Sequence, residues 1–93
     1  MSKDIKEEAL KLVEKYKSEY KEWSKENPGK VMNGLLTKED TARKASFAES
    51  IEDLEAMKRC YEISYNAMTD RKVPHGFIFM VRAMEELINI VKN

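Results

Sequence analysis

The chain has 93 residues, 42% of them hydrophobic and 37% charged, a balance that predicts a single folded helical domain over residues 1–93. Seventeen basic residues balance seventeen acidic ones, so the chain lacks the net charge that nucleic-acid or anionic-membrane binding requires. Cys60 is the one cysteine, which excludes an internal disulfide, and the charged N-terminus has no apolar secretion signal. We therefore expect a cytoplasmic protein that binds neither nucleic acid nor membrane.

The first predicted helix runs from Lys3 to about Glu26. Its apolar residues recur at three- and four-residue steps within a sector about 100° wide, and only Leu10 falls outside it. This stripe comprises Ile5, Ala9, Leu12, Val13, Tyr16, Tyr20 and Trp23. The helix should end at Asn27-Pro28-Gly29, because the residue before proline leaves the helical region and glycine readily adopts positive φ.

A loop is predicted over residues 28–36, where Asn33-Gly34 is a turn signal. Thr37 is a suitable N-cap for a second helix, with Asp40 three residues later. No Gly or Pro interrupts the chain from there to Met68. The simplest prediction is one long central helix over about 38–68, with a length of roughly 46 Å.

This long helix would carry two apolar faces. Large residues form one face, namely Phe47, Ile51, Leu54, Met57, Tyr61, Tyr65 and Met68. Mostly small residues form the other, namely Ala42, Ala45, Ala56, Cys60, Ile63 and Ala67. Small side chains allow another helix to approach closely, so we expect both faces to be covered.

A third helix is predicted from about Pro74 to Lys92, because proline suits the first helical position. Its apolar arc spans roughly 200°, more than a surface helix of a small bundle needs. Exposed apolar surface of this extent usually marks an interface, so we predict an all-α, antiparallel three-helix bundle that assembles into a homodimer or higher oligomer. The predicted interface residues are Ala45, Ala56, Cys60, Ile63, Phe79, Ala83 and Ile90.

The stretch DRKVPHGFIFM, residues 70–80, supports two hypotheses. Arg71, Lys72 and His75 beside a helix start could bind a phosphate or carboxylate, with Lys30 contributed through oligomer symmetry. Within one up-down-up chain, Lys30 and His75 should lie at opposite ends of the bundle. An ordinary turn is the favoured alternative, since cations complement the end of the preceding helix and no glycine-rich phosphate loop is present.

No catalytic, cofactor or metal site is predicted. The acidic run from Glu49 to Glu55 contains no Glu-x-x-His pattern, and solvated surface charge explains it better than metal binding. Cys60 lies among alanines, a setting that favours a small packing residue over an activated nucleophile. We therefore expect a protein that is not an enzyme.

Together these features favour a non-enzymatic helical interaction protein, a small oligomeric accessory, regulatory or inhibitory factor that binds another protein. The alternative comes from a different class. It is a binder of a small anionic ligand, a nucleotide or phosphometabolite, that uses Arg71, Lys72 and His75 at the start of the third helix.

Overall fold

The computed structural model describes residues 4–68 and 76–93, and the regular structure in these two ranges is entirely helical. The helices are α1 (Ile5–Glu26), α2 (Asn33–Ala45), α3 (Ile51–Met68) and α4 (Phe77–Lys92). The all-α prediction is confirmed. The prediction of three helices is wrong, because the described ranges contain four, and oligomerisation stays a prediction.

Helix α1 closely follows its sequence pattern. Asp4 is the N-cap, and its carboxylate accepts a hydrogen bond from the Glu7 N–H (3.2 Å). The helix ends as expected before Pro28, and Gly29 adopts a φ of +80°. Its buried residues are Ala9, Leu12, Val13 and Tyr16. Leu10, outside the stripe, is 40% exposed, so this helix buries one face.

Helix α2 begins inside the segment that was predicted to be a loop. Gly34 is buried against the ring of Phe79, and a Cβ at Gly34 would lie 2.7 Å from the ring atom Cε1. Any larger residue would force the Phe79 ring to move, so the tertiary packing explains Gly34 better than a turn does. Thr37 consequently lies within α2 and is not its N-cap.

The predicted continuous helix over 38–68 is also wrong, because the chain leaves the helix between α2 and α3. The Ser46 hydroxyl donates to the Arg43 carbonyl (2.6 Å) at the end of α2. At the start of α3 the Ser50 hydroxyl accepts from the Asp53 N–H, and the Asp53 carboxylate accepts from the Glu49 N–H, each at 3.2 Å. The bond to Ser50 is that of a capping box, while the Asp53 carboxylate bonds one residue before the N-cap, and together the two bonds stabilise a new helix start.

The break explains why one long helix would have needed two apolar faces. In α2 the small face is buried, with Ala42 and Ala45 at 1% and 0% exposure. In α3 the large face is buried, with Leu54 at 0% exposure and Ile51, Met57 and Tyr61 packed against the core. Each helix therefore buries one face, and Phe47, between them, is 79% exposed rather than part of the large stripe.

Helix α4 is central to the bundle and packs against α1, α2 and α3, whereas α3 rests almost entirely on α4. This position accounts for the broad apolar arc of α4. Its buried residues are Val81, Ala83, Met84, Leu87, Ile88 and Val91. The Cα extents are 42 × 33 × 19 Å, and the smallest corresponds to two helical layers. The described helix begins at Phe77, and the predicted first residue Pro74 lies outside the described ranges.

Successive helices run antiparallel, which fixes which connections share an end of the bundle. Lys92 at the end of α4 pairs with Glu55 near the start of α3 (3.4 Å). Gly34 and Phe79, near the starts of α2 and α4, are in contact, so these two helices run in the same direction. The α1–α2 connection and the start of α4 therefore lie at one end, and the α2–α3 connection lies at the other.

Candidate functional site

The predicted anionic-ligand site is only partly described. Arg71, Lys72 and His75 lie outside the described residues, and Lys30 is an exposed residue of the α1–α2 connection. The expected placement of Lys30 and His75 at opposite ends assumed three helices. With four helices, Lys30 lies at the same end as Gly76 and the start of α4. Ligand binding by these residues stays a prediction.

Four of the predicted interface residues pack largely against the chain's own helices. Ala45 and Ala83 are 0% and 1% exposed within the single chain. Ile90 is half-buried against the core, and Phe79 is half-buried against Gly34. The fourth helix thus covers surface that three helices would have left open, so the surplus of apolar surface is smaller than the sequence indicated.

The other three predicted interface residues, Ala56, Cys60 and Ile63, lie on the face of α3 that points away from α4 and are exposed. Ala67 continues this line, and we call the four residues the outer row. Ile63 is the largest member and is 63% exposed. The spacing of four, three and four residues is that of one seam of a coiled coil. The outer row thus places four exposed apolar or small side chains along one line of α3.

A second surface lies where the α2–α3 connection meets the start of α1 and the end of α4. It is an open cleft of about 600 Å³, which we call the end cleft. Its apolar lining consists of Ile5, Ala48, Ile51 and Val91. Its polar lining consists of Asp4, Lys6, Glu49, Ser50 and Glu52. The lining of the cleft thus mixes apolar side chains with polar groups that are mainly acidic.

A partly buried polar cluster, in which Tyr16 is the buried member, joins α1 to α4. The Tyr16 hydroxyl donates to Glu86 (2.8 Å), Lys15 also donates to Glu86, and the Lys38 ammonium lies 4.9 Å from the centre of the Tyr16 ring. Burial raises the pKa of Tyr16 well above its ordinary value, and the bond to Glu86 raises it further. Burial also opposes ionisation of Glu86, but the hydrogen bonds from Lys15 and Tyr16 outweigh it, so the pKa of Glu86 is lowered. The cluster positions helices and holds Glu86 ionised.

The described ranges offer no metal centre and no helix suited to a bilayer. Over residues 4–68 and 76–93, no group of three or more His, Cys, Asp or Glu side chains is arranged to hold a metal ion. In the same ranges, no helix has both the length and the apolar content that crossing a membrane requires. Cys60 is an exposed free thiol on the outer row.

Comparison with protein-family models, curated proteins and solved structures gave no significant match. The outer row and the end cleft are therefore identified from exposure, shape and charge in this structure. Sequence reasoning found the outer row but missed the end cleft, because the cleft exists only if the chain breaks between α2 and α3. The sequence does contain a signal for that break, though not for the cleft itself: Ser50-Ile51-Glu52-Asp53 has capping-box spacing.

Proposed function

We propose that this chain is a non-enzymatic helical interaction protein that self-associates and binds another protein through the outer row of α3. The observation that carries this proposal is the 63% exposure of Ile63 in the middle of an apolar row with helix-pairing spacing. Over residues 4–68 and 76–93, α3 rests almost entirely on α4, and the exposed outer row lies on its opposite face, where a further helix could contact it. An apolar row of this kind is covered most simply by a symmetric second copy.

The side chains of the row determine how two copies would pair. Alanine and cysteine allow helix axes to approach to about 8 Å, and Ile63 fills the gap left beside Cys60 of the second copy. A parallel pair would place Glu52 and Asp53 of one copy beside the same carboxylates of the other, which is repulsive. We therefore favour an antiparallel pair, and the small contact surface implies micromolar rather than nanomolar affinity.

Self-association is tested by sedimentation equilibrium over about 1–100 μM protein. The wild-type chain should shift from monomer to dimer across this range. Ile63→Glu should remain monomeric, because pairing would bury an unpaired carboxylate. Leu10→Glu is the matched control, since it changes an exposed leucine on the distant helix α1, and it should dimerise like the wild type. A wild-type chain that stays monomeric throughout, or Ile63→Glu that dimerises normally, contradicts the proposal.

Binding of another protein uses the same variants. Proteins from the source organism that bind the Leu10→Glu variant but not the Ile63→Glu variant would be partners of the outer row. Direct titration of each purified partner should then give a Kd at least about tenfold weaker for Ile63→Glu, as expected when a central apolar contact becomes charged. Equal affinity of both variants for every partner would show that binding occurs elsewhere.

A further inference from the structure

We propose that the end cleft binds a lysine- or arginine-rich amphipathic segment of a protein partner, with Phe47 as an apolar anchor beside the cleft. Since this assignment rests on the proposed function, it is tested by a measurement that is independent of self-association through the outer row. It concerns a different surface of the molecule, formed by the α2–α3 connection and the ends of α1 and α4.

The size and interior of the cleft suit a side chain with an apolar stem. A volume of about 600 Å³ falls within the range of ligand pockets, roughly 300–1,000 Å³. Val91 is buried at its base, and Ile5 and Ile51 are half-buried beside it. Lysine and arginine place their methylene groups along apolar surface while the charged end stays near water. Leucine side chains of the same segment would complete the apolar contact.

The charges of the cleft favour a cationic segment. Asp4, Glu49 and Glu52 contribute three carboxylates and Lys6 one ammonium, a net charge of −2. In the part of the chain that the structure describes, no ion pair joins Glu49 or Glu52 to a cation. Both carboxylates are therefore available to a partner, and complementary charge speeds and orients association.

An anionic ligand is disfavoured even though α1 and α3 both begin at this cleft. Helix starts attract anions through their free N–H groups. Here the Asp4 carboxylate caps α1 by accepting from the Glu7 N–H, and the Ser50 hydroxyl caps α3 by accepting from the Asp53 N–H. The protein's own side chains thus occupy these positions, and one of them, the Asp4 carboxylate, is itself negatively charged.

Phe47 supplies an anchor whose backbone is already ordered. Its ring is 79% exposed, while its N–H donates to the Lys44 carbonyl (3.2 Å) and the next N–H, of Ala48, donates to the Ala45 carbonyl (3.0 Å). Binding through such a residue loses little backbone entropy, and central aromatic residues often dominate interface energies. Lys44 pairs with Asp40 (3.2 Å), which limits repulsion of a cationic partner.

The experiment titrates the full chain with three fluorescent synthetic peptides, one of lysine and leucine, one of lysine alone and one of glutamate and leucine. The lysine–leucine peptide should bind most tightly. Glu49→Lys/Glu52→Lys should weaken its binding about tenfold, because two attractive contacts become repulsive. The matched control Glu22→Lys/Glu26→Lys makes the same charge change about 30 Å along α1 from the cleft and should change the Kd by less than about twofold. Circular dichroism confirms the fold of each variant.

Two further measurements locate the contact. Phe47→Ala should weaken binding at least about threefold, whereas Leu10→Ala should not. Amide chemical-shift changes on peptide addition should concentrate at residues 4–6, 47–52 and 91. The assignment would be overturned if the lysine–leucine peptide did not bind at about 1 mM, or if both charge variants weakened its binding equally. It would also be overturned if the peptide of lysine alone bound with the same affinity as the lysine–leucine peptide. Since dimerisation is measured without peptide, any of these results combined with dimerisation that depends on Ile63 leaves the proposed function intact.

Discussion

Replacing Gly34 with alanine tests the contact that sets the start of α2. Alanine normally stabilises a helix relative to glycine by about 0.5–1 kcal/mol. At this position, however, the new Cβ would lie 2.7 Å from Cε1 and 2.8 Å from Cζ of Phe79. A normal contact is at least about 3.5 Å, so the ring would have to move by close to 1 Å.

Over-packing of this kind costs about 1–3 kcal/mol. Subtracting the helix-propensity gain leaves an expected loss of roughly 0–2.5 kcal/mol in the free energy of unfolding for Gly34→Ala. In a chain of this length, 1 kcal/mol corresponds to a fall in Tm of about 4–8 °C. The loss should disappear when the obstructing ring is removed, because the remaining effect of alanine is favourable.

The assay is urea unfolding followed by helical circular dichroism for four proteins: the wild type, Gly34→Ala, Phe79→Leu and the double variant. Gly34→Ala should destabilise the wild type but stabilise the Phe79→Leu background, and the coupling energy should be about 1–3 kcal/mol. If Gly34→Ala stabilises both backgrounds equally, the two residues do not constrain each other and the explanation for the early start of α2 fails.

Four further predictions address the polar cluster, the helix break and the anionic-ligand alternative. Tyr16→Phe should cost about 1.5–3 kcal/mol, because its hydroxyl donates to the ionised Glu86, and urea unfolding measures this. The pKa of Glu86 is lowered in the folded chain, so its stabilising contribution is present above pH 4.5 and is lost as the pH falls below that value. In Glu86→Gln, the free energy of unfolding should therefore depend less on pH in this acidic range than in the wild type. Ser50→Ala should cost about 1 kcal/mol and reduce the helicity of α3, seen in its NMR shifts. In a thermal-shift screen of nucleotides and phosphometabolites, any stabilisation that survives Lys30→Ala excludes Lys30 from the ligand site.

The sequence predicted α1 well because its buried stripe and its end signals agree. All of these signals are local in the sequence and do not depend on contacts with other helices. They are the spacing of the apolar residues, the exposed Leu10 and the end at Asn27-Pro28-Gly29. The central region was harder, because residues 46–50 contain no Gly or Pro to mark the end of a helix. The two apolar faces on opposite sides of the predicted helix did indicate that the buried face changes between residues 45 and 51.

That error also affected the prediction of the candidate surfaces. With a continuous helix, the small-residue face from Ala45 to Ala67 would have formed one long ridge. The break instead places Ala45 in the core and leaves Ala56, Cys60 and Ile63 exposed. The end cleft could not be predicted at all, since it depends on which helix ends meet in three dimensions. Phe47 is exposed for a related reason, because it lies in the break between α2 and α3.

The packing of α3 mainly on α4, in the part of the chain that the structure describes, has a consequence for the molecule's motions. A helix with one main packing neighbour can detach while α1, α2 and α4 keep their mutual contacts, so its amides should exchange with deuterated solvent sooner than those of α4. Any protein that clamps the outward side of this helix would slow that exchange and stabilise the least protected part of the fold.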